Sequence, residues 1–156
     1  MVQENYRKLD NLKTHNLNYD HYEYVINNMR HWDQMEIMLM GFTKQLLLKH
    51  FDRMHGITAT YQDTPVLAAG HQLTDFECWY WFFGTPMVKD FFKKITSGSN
   101  RFIENSMQTY PYKRHVVQVW KKHQDSVKWL NMLKFQPFAS YHVGAEEILL
   151  VERKRT

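Results

Sequence analysis

Residues 77–84 read ECWYWFFG, with five aromatic side chains in unbroken succession. This run constrains the fold more than any other feature of the chain. Successive side chains of a strand point to opposite faces of its sheet, so rings in a row must be covered on both faces. Such a strand belongs in the middle of a sheet with helices on each side. A membrane-spanning helix is the rival reading, but the uncharged stretch runs only from Cys78 to Val88, well short of the roughly 18 apolar residues a crossing needs. The chain has 156 residues and is 44% hydrophobic, with 5 Trp, 9 Tyr and 10 Phe against 6 Gly and 4 Pro. That suits one folded domain with one sizeable core and excludes a low-complexity or disordered chain.

The flanks give the order of the remaining elements. YEYVIN (residues 22–27) has the alternation and the aromatic and β-branched content of a strand. Asp33 with Glu36 three residues on resembles a capping box for a short helix that Gly41 closes, and Thr43 caps a second helix over residues 44–54. From Ile57 the period becomes two, and ITATYQ and VLAAGHQ read as a hairpin around DTP. The segments MVKDFFKKI and RFIENSMQTY read as helical, separated by the loop SGSN, with Pro111 as a stop. KRHVVQVW is a buried strand, DSVKWLNMLKF a helix with one apolar face, and FASYHV and EEILLVER a closing strand pair around Gly144 and Ala145. The expected fold is therefore α/β (α+β): one domain with a mixed, mostly antiparallel sheet flanked by helices. Residues 1–21 are expected to form an N-terminal arm before a domain over residues 22–156.

Charge excludes little. The net charge is +4, and the basic clusters KDFFKK, YKR and KKH suit a solvated face better than a nucleic-acid groove. The first ten residues lack an apolar h-region. Cys78 stands alone, which points to a disulfide-independent protein, and its aromatic neighbours make it a small buried hydrophobe. Nine His invite a metal reading, but neither His50 with His55 nor His115 with His123 is accompanied by an HExxH pattern or a Cys pair. No metal is assigned.

Three stretches, NNMRHWDQMEI, YQDTPVLAAG and HQDSVKWLNMLKFQPF, come in an order and at separations that resemble the GNAT acetyltransferases. WYWFFGTPMV, YPYKRHVVQVW and DSVKWLNMLKF further resemble the small GNAT-like internal virion proteins of short-tailed bacteriophages. The resemblance implies the GNAT fold from about Tyr22 onward. Acetyl transfer in that family uses a Gly-rich loop after the fourth strand to cradle the diphosphate of acetyl-CoA. Here that strand ends in Gly84-Thr85-Pro86, and the only later glycine before Asn100 is Gly98. The family's helix-borne Tyr acid falls on Leu130, its opening Asn on His123 and its Gly on Lys134. Glu77 is the one carboxylate considered as a general base, and it is not assigned.

The sequence therefore leads to a non-catalytic phage virion protein, an assembly or genome-ejection component made in the host cytoplasm and found in the virion. Its partners would be portal, core or tail proteins, with a possible contact to DNA through the basic clusters. Tyr6, Leu9, Leu12, Leu17 and Tyr19 of the arm would dock on a partner. No catalytic or cofactor-binding residue is assigned. The alternatives are a divergent acetyl-CoA-dependent N-acetyltransferase and a DNA-binding accessory protein.

Overall fold

A computed structural model describes residues 12–155. Its elements in chain order begin with β1 (Leu12–Asn16), α1 (Tyr19–Asn27), α2 (His31–Leu39) and α3 (Lys44–Lys49). A 3-10 turn (Phe51–Arg53) leads to β2 (His55–Tyr61), β3 (Thr64–Leu73) and β4 (Glu77–Gly84), and a second one (Pro86–Phe91) to α4 (Phe92–Thr109). β5 (Arg114–Trp120), α5 (Gln124–Met132), β6 (Gln136–Val143) and β7 (Glu146–Arg153) complete the chain. The seven strands form one sheet in the order β1-β2-β3-β4-β5-β7-β6, antiparallel except for β4 beside β5. The aromatic strand is thus central, as its composition demands. Trp81 and Phe83 pack towards α1, while Tyr80 and Phe82 pack towards α4 and α5.

The segment expected as the first strand is a helix. Tyr22, Val25, Ile26 and Met29 recur at helical spacing and are all buried, and the Asn18 side chain caps the helix by accepting the His21 N–H at 2.9 Å. Three buried side chains on one helical stripe, with Met29 buried just past the helix end, outweigh the strand preference of isolated Tyr and Val residues. The Tyr22 hydroxyl then donates to the Leu47 carbonyl at 3.0 Å, tying α1 to α3. Thr43 caps α3 as expected, accepting the Leu46 N–H at 3.1 Å. The β2–β3 hairpin turns on Gln62 and Asp63, both at positive φ, one step earlier than DTP.

SGSN is also not a loop. Residues 92–109 form one continuous helix with Gly98 inside it, because Ile95, Ile103 and Met107 lie on a single buried stripe whose packing overrides the local Ser, Gly and Asn preferences.

The described part of the expected arm belongs to the domain. β1 pairs with β2 from Leu12↔Tyr61 to Asn16↔Ile57. Leu12 packs against the cluster around Val66 and Phe91, and Leu17 against the cluster around Tyr22. Tyr19 is 42% exposed and meets the Phe51 ring edge-on at 5.4 Å. Tyr6 and Leu9 lie outside the described residues.

Candidate functional site

The parallel pairing of β4 with β5 lasts for three residue pairs, Glu77↔Arg114, Cys78↔His115 and Trp79↔Val116. Beyond these, β4 stays with β3 and β5 with β7, so the two strands diverge and leave a wedge towards their carboxyl ends. Ligands of α/β sheets bind at such ends, where backbone groups lack a strand partner. Helix α2 closes the mouth of the wedge with two carboxylates. Asp33 is 4% exposed; it accepts the Gly84 N–H at 3.0 Å and a bidentate contact from Arg30 at 2.9 and 3.1 Å. The Arg30 N–H in turn donates to the Gly84 carbonyl at 2.8 Å. Gly84 thus turns both backbone groups into the wedge, and the two-residue alternation of the strand points those of Phe82 the same way.

The second carboxylate, Glu36, reaches β5. Its Oε2 accepts the Trp120 N–H at 2.9 Å and lies 3.3 Å from His123 Nδ1. The other ring nitrogen of His123, Nε2, is 3.0 Å from Ser126 Oγ. A carboxylate only accepts, so Nδ1 carries the proton, and Nε2 is left as an acceptor for the Ser126 hydroxyl. His123 is 3% exposed. The Trp32 ring stacks over it at 5.7 Å between centroids and 14° between planes, and also meets Trp120 at 5.5 Å. Trp32 itself is 45% exposed and forms an aromatic wall at the mouth. A carboxylate, an imidazole fixed in one tautomer and a hydroxyl therefore stand in line at the open end of a splayed parallel strand pair. Such a line can accept and return a proton.

Sequence comparison finds no matching family model and no matching curated protein. Solved structures do match. A chimera of the spermidine N-acetyltransferase SpeG from Vibrio cholerae and hSSAT superposes with a TM-score of 0.69 at 10% identity over 92% of this chain and 95% of that one. A GNAT-family acetyltransferase from Bacillus anthracis gives 0.65 at 9% identity, covering 91% and 93%. A probable acetyltransferase from Staphylococcus epidermidis gives 0.62 at 12% identity, covering 93% and 99%.

The fold is that of the GNAT acetyltransferases.

These neighbours overturn the reading as a virion structural protein. Each is described as an acetyltransferase and matches over nearly its whole length, so the assembly or ejection role is withdrawn.

The wedge suits the acyl end of a thioester donor, since its strand amides face inward. The turn after β4 does not suit a diphosphate: Pro86 has no N–H, the Met87 N–H is taken by Thr85 Oγ1 at 3.4 Å, and the Val88 N–H by the Thr85 carbonyl at 3.1 Å. A groove of about 380 Å³ runs instead between α4 and the end of α5, lined by Phe92, Thr96 and Leu133 with Lys93 and Lys134 among its walls. Trp129 stands between groove and wedge. Its Nε1 donates to Thr96 Oγ1 at 3.0 Å, and its ring meets Phe82 at 5.1 Å.

The GNAT correspondences drawn from the sequence have definite places. Lys134 follows α5 at φ +68, a left-handed conformation that glycine adopts more easily. The Phe135 N–H returns to the Leu130 carbonyl and the Lys134 N–H to Asn131, both at 3.0 Å, as in a Schellman cap. Leu130 is 7% exposed in the core and carries no proton. Glu77 begins β4, about 23 Å from Gly84 at roughly 3.3 Å per residue, so it does not share the wedge mouth. Asp33 is inside α2 rather than capping it; Arg30 is the N-cap residue. Glu36, Ser126 and Trp32 were not singled out as functional residues. His123 and Ser126 stand three apart at a helix start, which is a visible signal, but Glu36 is 87 positions from His123 and no local pattern joins them.

Proposed function

We propose that this protein is a divergent N-acetyltransferase that transfers an acetyl group from acetyl-CoA to an amine. The observation that carries the reading is the wedge between β4 and β5 with His123, held by Glu36, at its mouth. The full-length likeness to acetyltransferases supports it. Acetyl-CoA would supply the activated thioester; the residues that would hold its acyl end are the strand groups of Phe82 and its neighbours. Lys93 and Lys134 would meet its phosphates, in place of a backbone cradle. His123 acts as general base towards the amine, and Glu36 fixes its tautomer. Trp32 gives the acceptor an apolar and cation-attracting surface, which suits an alkylammonium side chain or polyamine.

Thermal melting with and without acetyl-CoA tests donor binding. A ligand that binds only the native state adds about 2.7 kcal/mol at a hundredfold excess over Kd, which is easily detected. An upward shift at millimolar acetyl-CoA is expected, weakened in Lys93→Ala/Lys134→Ala. An unmoved melting curve at that concentration would remove acetyl-CoA as the donor.

A further inference from the structure

We propose that β6 is an interface between two copies of this chain, which join edge to edge so that Tyr141 of one copy lies opposite Tyr141 of the other across a two-fold axis. Among the described residues β6 is the outermost strand of the sheet on the β7 side. Seven of its eight residues are exposed, and its sequence QPFASYHV holds no Asp, Glu, Lys or Arg. A long exposed edge is a template for pairing, and proteins blunt such edges with charge, proline or a bulge. Here Pro137 and the irregular step from it to Ala139 stand at the start of the strand. Residues 139–143 are left regular and without a charged side chain to repel a second strand. The interface stands apart from the acetyl-transfer reading and does not rest on it.

The hairpin fixes which backbone groups of β6 face outward. A two-residue turn, Gly144-Ala145 with Gly144 at φ +61, joins Val143 to Glu146. Such a turn closes on a pair that exchanges backbone hydrogen bonds, and bonded and non-bonded pairs then alternate along the ladder. Tyr141 opposite Ile148 and Ala139 opposite Leu150 therefore turn their N–H and C=O groups to β7, while Ser140 and His142 turn theirs outward. A second β6 meets these outward groups in antiparallel sense when Ser140 faces the other copy's His142, twice over about the axis. Both outward N–H groups and both outward carbonyls of each chain are then bonded, and Tyr141 stands opposite itself, as an isologous contact requires.

The side chains suit the same register. Residues directly opposite each other in an antiparallel pair have Cβ atoms about 4.5–5.5 Å apart, so a charge at position 141 would face its like. The Tyr141 hydroxyl donates to Gln118 Oε1 at 2.7 Å, two strands inward on β5. That bond draws the ring over β7 and away from the axis, which leaves room for the second copy. Ala139 stands opposite the other copy's Val143, a small side chain against a branched one. A two-fold contact uses each β6 once and closes at two chains, so the edge that invites pairing is consumed. Tyr141 and Trp120 both sit opposite Ile148, which sets the interface two strands, roughly 10 Å, from the wedge mouth.

Sedimentation velocity of the full chain across the micromolar range tests the pairing. The wild type is expected to sediment with the mass of two chains. Tyr141→Lys, at an exposed position, sets like charges face to face and should sediment as one chain while still melting cooperatively. Mixing it in equal amount with Tyr141→Glu should restore the dimer, which a mere loss of fold would not allow. Tyr141→Cys reads the contact without adding a charge: mild oxidation should link two chains through position 141, since Cys78 is buried. Ser140→Cys, which faces His142 rather than itself, should link far more slowly. A wild type that remains a single chain at high micromolar concentration would overturn the proposal. So would a dimer that persists in Tyr141→Lys and gives no link in Tyr141→Cys, the result expected if two copies meet through another surface.

Discussion

Asp33 on α2 accepts the backbone N–H of Gly84, the last residue of β4, at 3.0 Å, and the same carboxylate is held by Arg30. One buried side chain thus joins a helix that opens 46 residues before β4 to the end of the central strand. Removing it leaves the Gly84 amide without its acceptor and Arg30 without its counter-ion. Arg30 is partly exposed, with 29% of its side chain open to water, so the loss should be moderate. Asp33→Ala is expected to cost about 3 kcal/mol in urea unfolding, at the low end of what breaking a buried pair costs. A change below about 0.5 kcal/mol, ordinary for a surface site, would show that the contact does not anchor the wedge.

Glu36 has a different task, because it holds His123 by one oxygen and the Trp120 amide by the same oxygen. Glu36→Gln keeps the shape but can turn an N–H towards Nδ1, which reverses the ring's tautomer and takes the accepting nitrogen away from the amine. We expect a fall in kcat of two orders of magnitude or more with KM little changed, by analogy of role with the orienting carboxylate of a triad. A rise in KM at constant kcat would place Glu36 in substrate binding instead.

Two histidines at the other end of β5 set a pH dependence of stability. Burial lowers the His71 pKa, helped by nearby His55 and His115, and burial likewise lowers that of His115. His115 Nε2 donates to the Tyr110 carbonyl at 3.1 Å and Nδ1 accepts from the Tyr80 hydroxyl at 2.8 Å, so the neutral ring is fully bonded. The unfolded chain binds protons at these residues near pH 6.5 while the folded chain does not. Stability therefore falls as pH drops through about 6.5 and continues to fall until the folded histidines protonate. Urea midpoints measured from pH 7.5 to 5 should show this decline, and His71→Phe should flatten it. A stability that rises on acidification in the wild type and is unchanged by His71→Phe would contradict the sign.

The end of α5 offers a gain. Lys134 is exposed in the left-handed region at φ +68 with the cap hydrogen bonds already made. Glycine removes the steric cost of a Cβ there, offset in part by the freer unfolded chain. Lys134→Gly should stabilise by about 0.5–1 kcal/mol while weakening any donor bound through the Lys134 charge. A destabilised variant in denaturant melts would contradict the cap.

Gly56 and Gly70 face each other across β2 and β3. A Cβ on Gly70 would stand 1.9 Å from the His55 carbonyl oxygen, and one on Gly56 2.1 Å from that of Ala69. Backbone cannot yield as a side-chain tip does, so Gly70→Ala should cost about 3 kcal/mol or more. Near-neutral behaviour in the same assay would mean that the two strands are farther apart than described.

The sheet was largely legible because its signals are local. The five rings of residues 79–83 require a covered strand, and the Gly144 turn marks the last hairpin. The first helix escapes a local reading because Tyr and Val favour strands one by one, whereas Tyr22, Val25 and Ile26 act together only when wrapped at 3.6 residues per turn against β3. SGSN misled in the opposite direction, since its residues favour a loop and only the packing of Ile95 and Ile103 on the sheet holds them helical. The site was least legible. Its Gly84–Asp33 and His123–Glu36 contacts join residues 51 and 87 positions apart, and such pairings appear only once the topology has brought α2 to the wedge.

The most direct test of the central claim is amine-dependent release of CoA thiol from acetyl-CoA, measured over a panel that includes polyamines and lysine peptides. The account predicts release with at least one amine, product bearing one acetyl group on nitrogen, and a loss of about a hundredfold or more in His123→Ala. Thiol release that is absent with every amine, from a chain that melts cooperatively, would contradict it.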